Sequence, residues 1–299
     1  MQTILSNEFK FQLINSLNIF RNIIDPYNPK EEIIPTIKEN IQANFPAEEI
    51  EKLKSNVVNE DGSGYVFIDL KELCSNYEEL LIMNFILLNI IGKPLWHKEN
   101  NPIWFNLKVK TDVNPIRTHG VGKNPLHMDF LTFESYPKVI SFLSVRRDPL
   151  MGGGSLLCDM KKVFSKLNKR ENALLKSKLF KYWIDKDIVN LGKALENFSI
   201  IENKDGNEVY RYTEKMLPHL EDGRDVLNEE GLIHKEELIN IFNKIKKISE
   251  KYTLEILLEP YQTLIFNQQR IAHGRSPLGE NQNNLNEDQM RLIVQTYLN

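Results

Sequence analysis

From Trp104 onward the chain breaks into short runs of β-branched and aromatic residues: Trp104 to Val109, Leu126 to Phe133 and Val139 to Val145, each bounded by Pro, Gly or Asn. Runs of this length and composition fit a pleated, half-buried surface and predict strands. Further strands are expected at Glu208 to Tyr212, Leu254 to Leu258, Gln262 to Phe266 and Arg291 to Leu298. The first hundred residues read differently. Helical spacing of apolar residues predicts helices over Glu8 to Ile24, Glu32 to Asn44, Ala47 to Val57 and Asn76 to Ile91, with one strand at Tyr65 to Asp69. Helical stretches also recur at Met160 to Phe180 and Glu229 to Lys251. The sum is a mainly β fold with flanking α-helices, packed outside a mostly antiparallel sheet. At 299 residues a single domain suffices, residues 1–100 forming a helical part against a core of about 104–299.

Composition narrows the function. A net charge of −3, with 26% charged residues, gives no basic field for a nucleic-acid backbone, so a small-molecule substrate is expected. Cys74 and Cys158 are too few for a disulfide framework or a thiolate zinc site, and two buried thiols fit a cytoplasmic protein. Glu8 and Lys10 interrupt the apolar pattern of Met1 to Phe20, which therefore does not read as a targeting signal. Leu80 to Ile91 is the most apolar run. A bilayer needs about 20 residues, so this run is expected to be a buried helix closed by Gly92, not a membrane span. Oligomeric state is not legible.

Four His-x-acid pairs offer metal ligands: His97/Glu99, His127/Asp129, His219/Glu221 and His234/Glu236. On a strand, residues two apart point to the same side and can reach one ion, whereas on a helix they diverge. His234 and Glu236 begin a helical segment. His219 and Glu221 precede a turn-like Asp222-Gly223, and His97 and Glu99 lie in a polar stretch running to Asn100-Asn101-Pro102, so both pairs read as surface residues. His127 and Asp129 follow a turn at Gly122 to Pro125 and enter a strand, which makes them the pair placed to chelate. Downstream, the buried run Leu264-Ile265-Phe266 leads through polar Asn267 to Arg270 to His273. Two imidazoles and a carboxylate can hold Fe(II) on one face, leaving adjacent positions open.

In combination, His127-x-Asp129, Gly152-Gly153-Gly154-Ser155, Asn267 through Arg275 and Arg291 resemble, in order and spacing, the Fe(II)/2-oxoglutarate dioxygenases of the taurine dioxygenase and clavaminate synthase-like family. The resemblance runs from about Trp104 to the C-terminus. It implies a double-stranded β-helix, or jelly roll, with iron held by His127, Asp129 and His273 near one mouth. It also implies 2-oxoglutarate and dioxygen as cosubstrates, with hydroxylation or desaturation of an aliphatic carbon. Halogenation is disfavoured, because related halogenases carry a small residue where Asp129 stands.

The resemblance places the distal carboxylate of 2-oxoglutarate on Arg291 and Ser155. A planar guanidinium suits a carboxylate bidentately. Arg291 shares a strand face with Ile293, Gln295 and Tyr297 and could point inward, or it could form a surface ion pair. Ser155 stands where the family often has threonine, and it could equally be a turn residue. The glycine run is no phosphate cradle, since no Gly-Lys-Ser/Thr follows it. Asp159 instead suggests a strand-to-helix turn. Arg275 and Arg211 are candidates to grip a substrate carboxylate, with structural ion pairs as their alternative. The expected substrate is an amino acid or a derivative of one. Two rival classes stay open: a zinc protein using the same triad, and a jelly-roll protein without oxygenase activity.

Overall fold

The computed structural model describes residues 3–99, 102–181, 188–204, 206–222 and 225–299. Asn100 and Asn101 beside His97, and Gly223 after His219, lie outside the described residues. The N-terminal helices are α1 (Asn7–Phe20), α2 (Ile34–Asn44) and α3 (Ala47–Val58). After β1 (Tyr65–Asp69) comes α4 (Tyr77–Ile91). Side chains start two of these helices: Ser6 accepts from the Phe9 amide and Asn76 from the Glu79 amide, each satisfying an orphan N–H of the first turn. Every residue of α4 from Leu80 to Ile91 is buried, so it is the helical core onto which α1, α2 and α3 pack. No described helix is long and apolar enough to cross a membrane. Gly92 caps α4 in an extended conformation, not a left-handed one. A side chain there would meet the Asn299 carbonyl at 2.8 Å.

The strands that follow are β2 (Phe105–Lys108), β3 (Asn124–His127), β4 (Val139–Arg146) and β5 (Ser155–Asp159). Asp159 accepts from the Lys161 amide and starts α5 (Met160–Phe164), the strand-to-helix turn expected there, and α6 (Lys169–Lys176) opens on an Asn168/Glu171 capping box. A hairpin of β6 (Ile201–Lys204) and β7 (Asn207–Tyr210) precedes α7 (Met216–Glu221). The predicted long helix is two, α8 (Glu229–Ile233) and α9 (Lys235–Tyr252), with His234 at the break. The chain closes with β8 (Thr253–Ile256), β9 (Gln262–Asn267), β10 (Ile271–Arg275) and β11 (Leu292–Leu298).

Two antiparallel sheets carry the site, one in the order β1-β9-β4-β11-β2 and the other β3-β10-β5-β8. Period-two alternation decides what each face touches. Val139, Leu143, Ile265, Val294 and Leu298 of the larger sheet join the apolar cluster of the N-terminal helices. Ile140, Phe142, Leu264, Phe266, Ile293 and Tyr297, on the opposite face, join Leu157 and Ile271 of the smaller sheet. The far face of the smaller sheet, with Leu126, Leu156, Cys158 and Ala272, packs on α5, α7 and α9. At about 1.5–3 kcal/mol for each fully buried large apolar side chain, these three clusters supply the main force that holds the sheets in register. Cys158 is buried and Cys74 half-buried, both free thiols.

Candidate functional site

His273 lies in the middle of β10 and pairs directly with His127 at the end of β3, so the two imidazoles stand 4.4 Å apart, centre to centre. Asp129 does not continue that strand. Pairing in β3 stops at His127, and Phe130 adopts φ 57°, a left-handed conformation that is uncommon for a bulky residue. The turn, not strand alternation, aims the carboxylate back at the imidazoles. Asp129 Oδ1 lies 3.5 Å from His127 Nε2, and Oδ2 lies 3.8 Å from His273 Nε2. His127, Asp129 and His273 offer ligand atoms within 4.8 Å of one another, the one such group among the described residues.

The surroundings fit a metal ion. His127 Nδ1 lies 2.8 Å from the Pro125 carbonyl, which assigns its proton to that nitrogen and leaves the Nε2 lone pair facing inward. Tyr297 donates its hydroxyl to Asp129 Oδ2 at 2.8 Å and Gln295 its amide at 3.1 Å, while the Asp129 amide donates to Gln268 Oε1 at 3.0 Å. Burial, reinforced by the charges of Lys215 and His273, pushes His127 well below the ordinary imidazole range. Burial likewise lowers His273. Burial works against the Asp129 carboxylate, but the two imidazoles and the two hydrogen bonds outweigh it and hold its pKa below the usual value. Two neutral imidazoles and one carboxylate are the protonation states a divalent cation requires.

Two expectations follow. Removing the Tyr297 hydroxyl (Tyr297→Phe) should weaken metal affinity by about 10–100-fold, as loss of a group orienting a ligand does, in a titration of the folded protein. The metal-free protein should lose stability as pH falls below about 6.5. Unfolding frees both imidazoles to protonate there while the folded chain resists, so the unfolded state binds more protons and acid favours it. Thermal melts should show a shallower pH dependence when both histidines are alanine.

The triad opens onto a cavity of about 1340 Å³. Ligand pockets for drug-sized molecules run to about 300–1,000 Å³, so a cosubstrate and a substrate fit side by side. Along β10 the pairing places Arg275 between Asn124 and Ser155, two residues beyond the level of the histidines. Asn124, Ser155, Arg275 and Arg291 all line this end. Gly274 is needed where β3 and β10 approach, since a side chain there would lie 2.6 Å from the Asn124 carbonyl. Gly153, at φ 74°, leaves space for Arg291, whose Cδ would lie 3.0 Å from an added Cβ.

The arginines separate by what they already hold. Arg291 is 8% exposed and has no hydrogen-bond partner among the described residues. Burial, then repulsion from Arg275, pushes its pKa down to about 9, a charge that an incoming anion would stabilise. Arg275 lines the cavity, but its guanidinium donates to the carbonyls of Thr118, Gly120, Gly122 and Ser276. That arrangement pins the 118–122 loop from a residue that also lines the cavity. Arg211 is absent from the cavity lining and 1% exposed. It donates to Glu202 and to the carbonyls of Leu131 and Phe133, a structural arrangement that departs from the expected substrate grip.

Other sequence expectations are redrawn as well. Of the expected surface pair, Glu221 is exposed and His219 half-buried, and both line the cavity from α7. His97 is buried, stacked 4.9 Å from the Phe105 ring, with burial lowering its pKa. Sequence reasoning missed Gln268 and Asn124 as site residues. It placed Gln295 and Tyr297 on the face of Arg291 without seeing their hold on Asp129, since that pairing joins chain segments far apart. The cavity lining also carries both charge signs: Glu214, Lys215, Glu221, Lys246 and Arg117.

The chain belongs to the taurine catabolism dioxygenase TauD, TfdA family, whose model matches residues 95–292, from shortly after α4 to the first residue of β11. It is therefore an enzyme of the dioxygenase class. No curated protein matches it in sequence. Among solved structures, an asparagine oxygenase in complex with Fe(II), 2S,3S-3-hydroxyasparagine and succinate superposes with a TM-score of 0.73 at 11% identity, covering 98% of this chain and 92% of that one. The non-heme iron oxygenase OrfP in complex with Fe and alpha-ketoglutaric acid gives 0.70 at 10% identity, over 98% and 92%. OrfP with Fe and L-Arg gives 0.66 at 11% identity, over 99% and 92%. These likenesses establish the fold.

Proposed function

We propose that this protein is an Fe(II)- and 2-oxoglutarate-dependent oxygenase that hydroxylates an aliphatic carbon of a free amino acid or a close derivative. The observation that carries the reading is the convergence, in one cavity, of a two-histidine, one-carboxylate group with a buried arginine that has no protein partner among the described residues. The similar solved proteins hold Fe with 2-oxoglutarate or succinate and act on asparagine or arginine. We read the two sheets as a distorted double-stranded β-helix, and the whole chain as one domain, because the N-terminal helices share an apolar cluster with the larger sheet.

His127, Asp129 and His273 would hold the iron. When bound, the metal with dioxygen supplies the oxidant needed to remove a hydrogen atom from unactivated carbon. The residues around it do the rest. Arg291 offers a planar fork to the distal carboxylate of 2-oxoglutarate, and Ser155, 3% exposed at the same end, offers a hydroxyl. Tyr297 and Gln295 keep Asp129 oriented, so the ligand set is assembled before substrate arrives. Phe130, next to Asp129, and Phe142, with its ring 5.7 Å from that of His273, give the cavity an apolar side by the triad. The wall of mixed charge suits a zwitterion, since both an ammonium and a carboxylate find opposite partners.

The deciding experiment is a screen of amino acids and small carboxylates for succinate release in the presence of Fe(II) and 2-oxoglutarate. An amino acid should stimulate release and gain one oxygen by mass spectrometry. If only a neutral lipid or a carrier-bound acyl chain does so, the amino-acid assignment is wrong.

A further inference from the structure

Asp129 owes its position to a turn that would not hold itself. A non-glycine residue in the left-handed region costs on the order of 1–3 kcal/mol and persists only where the surroundings over-determine it. Phe130 is such a residue, directly after the carboxylate. The turn has one internal hydrogen bond, from the Phe133 amide to the Phe130 carbonyl at 3.0 Å. From outside, the Asp129 amide donates to Gln268 Oε1, the Leu195 amide donates to the Thr132 carbonyl and Phe133 bridges to Ala194, and the one charged side chain that grips its carbonyls comes from the segment after β7. Arg211 Nη1 donates to the carbonyls of both Leu131 and Phe133, each at 2.7 Å, and Nε donates to Glu202 at 2.9 Å. The guanidinium lies 4.6 Å from the Tyr136 ring centre. The adjoining backbone runs alongside β3: the Met128 amide donates to the Tyr212 carbonyl, Thr213 bridges to His127, and the Glu214 amide donates to the Leu126 carbonyl.

We propose that Arg211 is a positioning residue for the metal ligand Asp129, its buried guanidinium locking the Asp129–Phe133 turn so that the carboxylate faces His127 and His273. The inference rests on the metal-site reading above. Its chemistry is specific to arginine. The planar fork satisfies two carbonyls and a carboxylate at once, whereas lysine is a single point charge on a flexible stem. Methionine would fill similar volume yet leave Glu202 without its partner and the two carbonyls without their donor.

The test uses the full chain with Co(II) as the probe, read by its d–d absorption spectrum, and amide hydrogen exchange over residues 129–133 of the metal-free protein. Arg211→Met should weaken Co(II) binding at least tenfold, alter the spectrum and speed exchange at Phe133, with Arg211→Lys between it and the unmodified chain. In an Asp129→Ala background, Arg211→Met should add no further loss. If Arg211→Met keeps native circular dichroism, a Co(II) affinity within twofold and an unchanged spectrum, the proposal is overturned. If that variant does not fold, Arg211→Lys decides by the same readouts, and an unchanged affinity in it is equally fatal. If Asp129→Ala itself leaves Co(II) binding intact, the metal-site reading fails instead.

Discussion

Alanine at His127, Asp129 or His273 should abolish iron binding and turnover together, each losing at least a hundredfold in metal affinity. The magnitude follows from comparison: residues that merely orient a ligand typically account for 10–100-fold, and these three side chains supply the ligand atoms themselves. Alanine at His97 or His234 should leave iron binding intact, because one is stacked on Phe105 and the other ends a short helix, and neither belongs to the group of facing ligand atoms. His219→Ala tests the cavity wall separately: metal affinity should be unchanged even where substrate affinity moves. Iron content and equilibrium titration check all six variants. Loss of metal at His97 or His234, with retention at the triad, would falsify the assignment.

Arg291→Ala should raise the 2-oxoglutarate requirement steeply while sparing the iron. Truncating one partner of a buried charged pair typically costs about 2–5 kcal/mol, which is roughly 30-fold to several-thousand-fold in affinity. Arg291→Lys should recover only part, since the ammonium cannot meet a carboxylate with two parallel donors. Gly153→Ala should act in the same direction from outside the contact. Its Cβ would press 2.6 Å from Leu278 Cδ2 and 3.0 Å from Arg291 Cδ, at a backbone angle that L-residues avoid. Titrating 2-oxoglutarate against succinate release separates these effects from iron affinity. An unchanged requirement in Arg291→Ala would leave the cosubstrate without its proposed anchor and turn attention to Asn124 and Ser155.

Apolar periodicity, cap residues and β-branched runs made most elements legible along the chain, because they are local: β1 falls at its predicted residues, and α3, α4, β4 and β11 differ from expectation by one residue at an end. The proposed metal ligands were legible by residue type and order, and Arg291 by its place just before β11, in phase with Gln295 and Tyr297. The reason His127 and Asp129 converge was not. Strand alternation predicts a shared side, yet β3 ends at His127 and a left-handed Phe130 turns the carboxylate inward, a conformation enforced by Arg211 from another part of the chain. The roles of the arginines were equally hidden. Arg211, Arg275 and Arg291 carry the same guanidinium, and only the fold decides which meets backbone carbonyls and which is buried facing a cavity. By itself the sequence determined what chemistry could be assembled. Tertiary structure decided which copies of each side chain take part, because hydrogen-bond partners, burial and the aim of a turn depend on contacts between residues far apart in sequence.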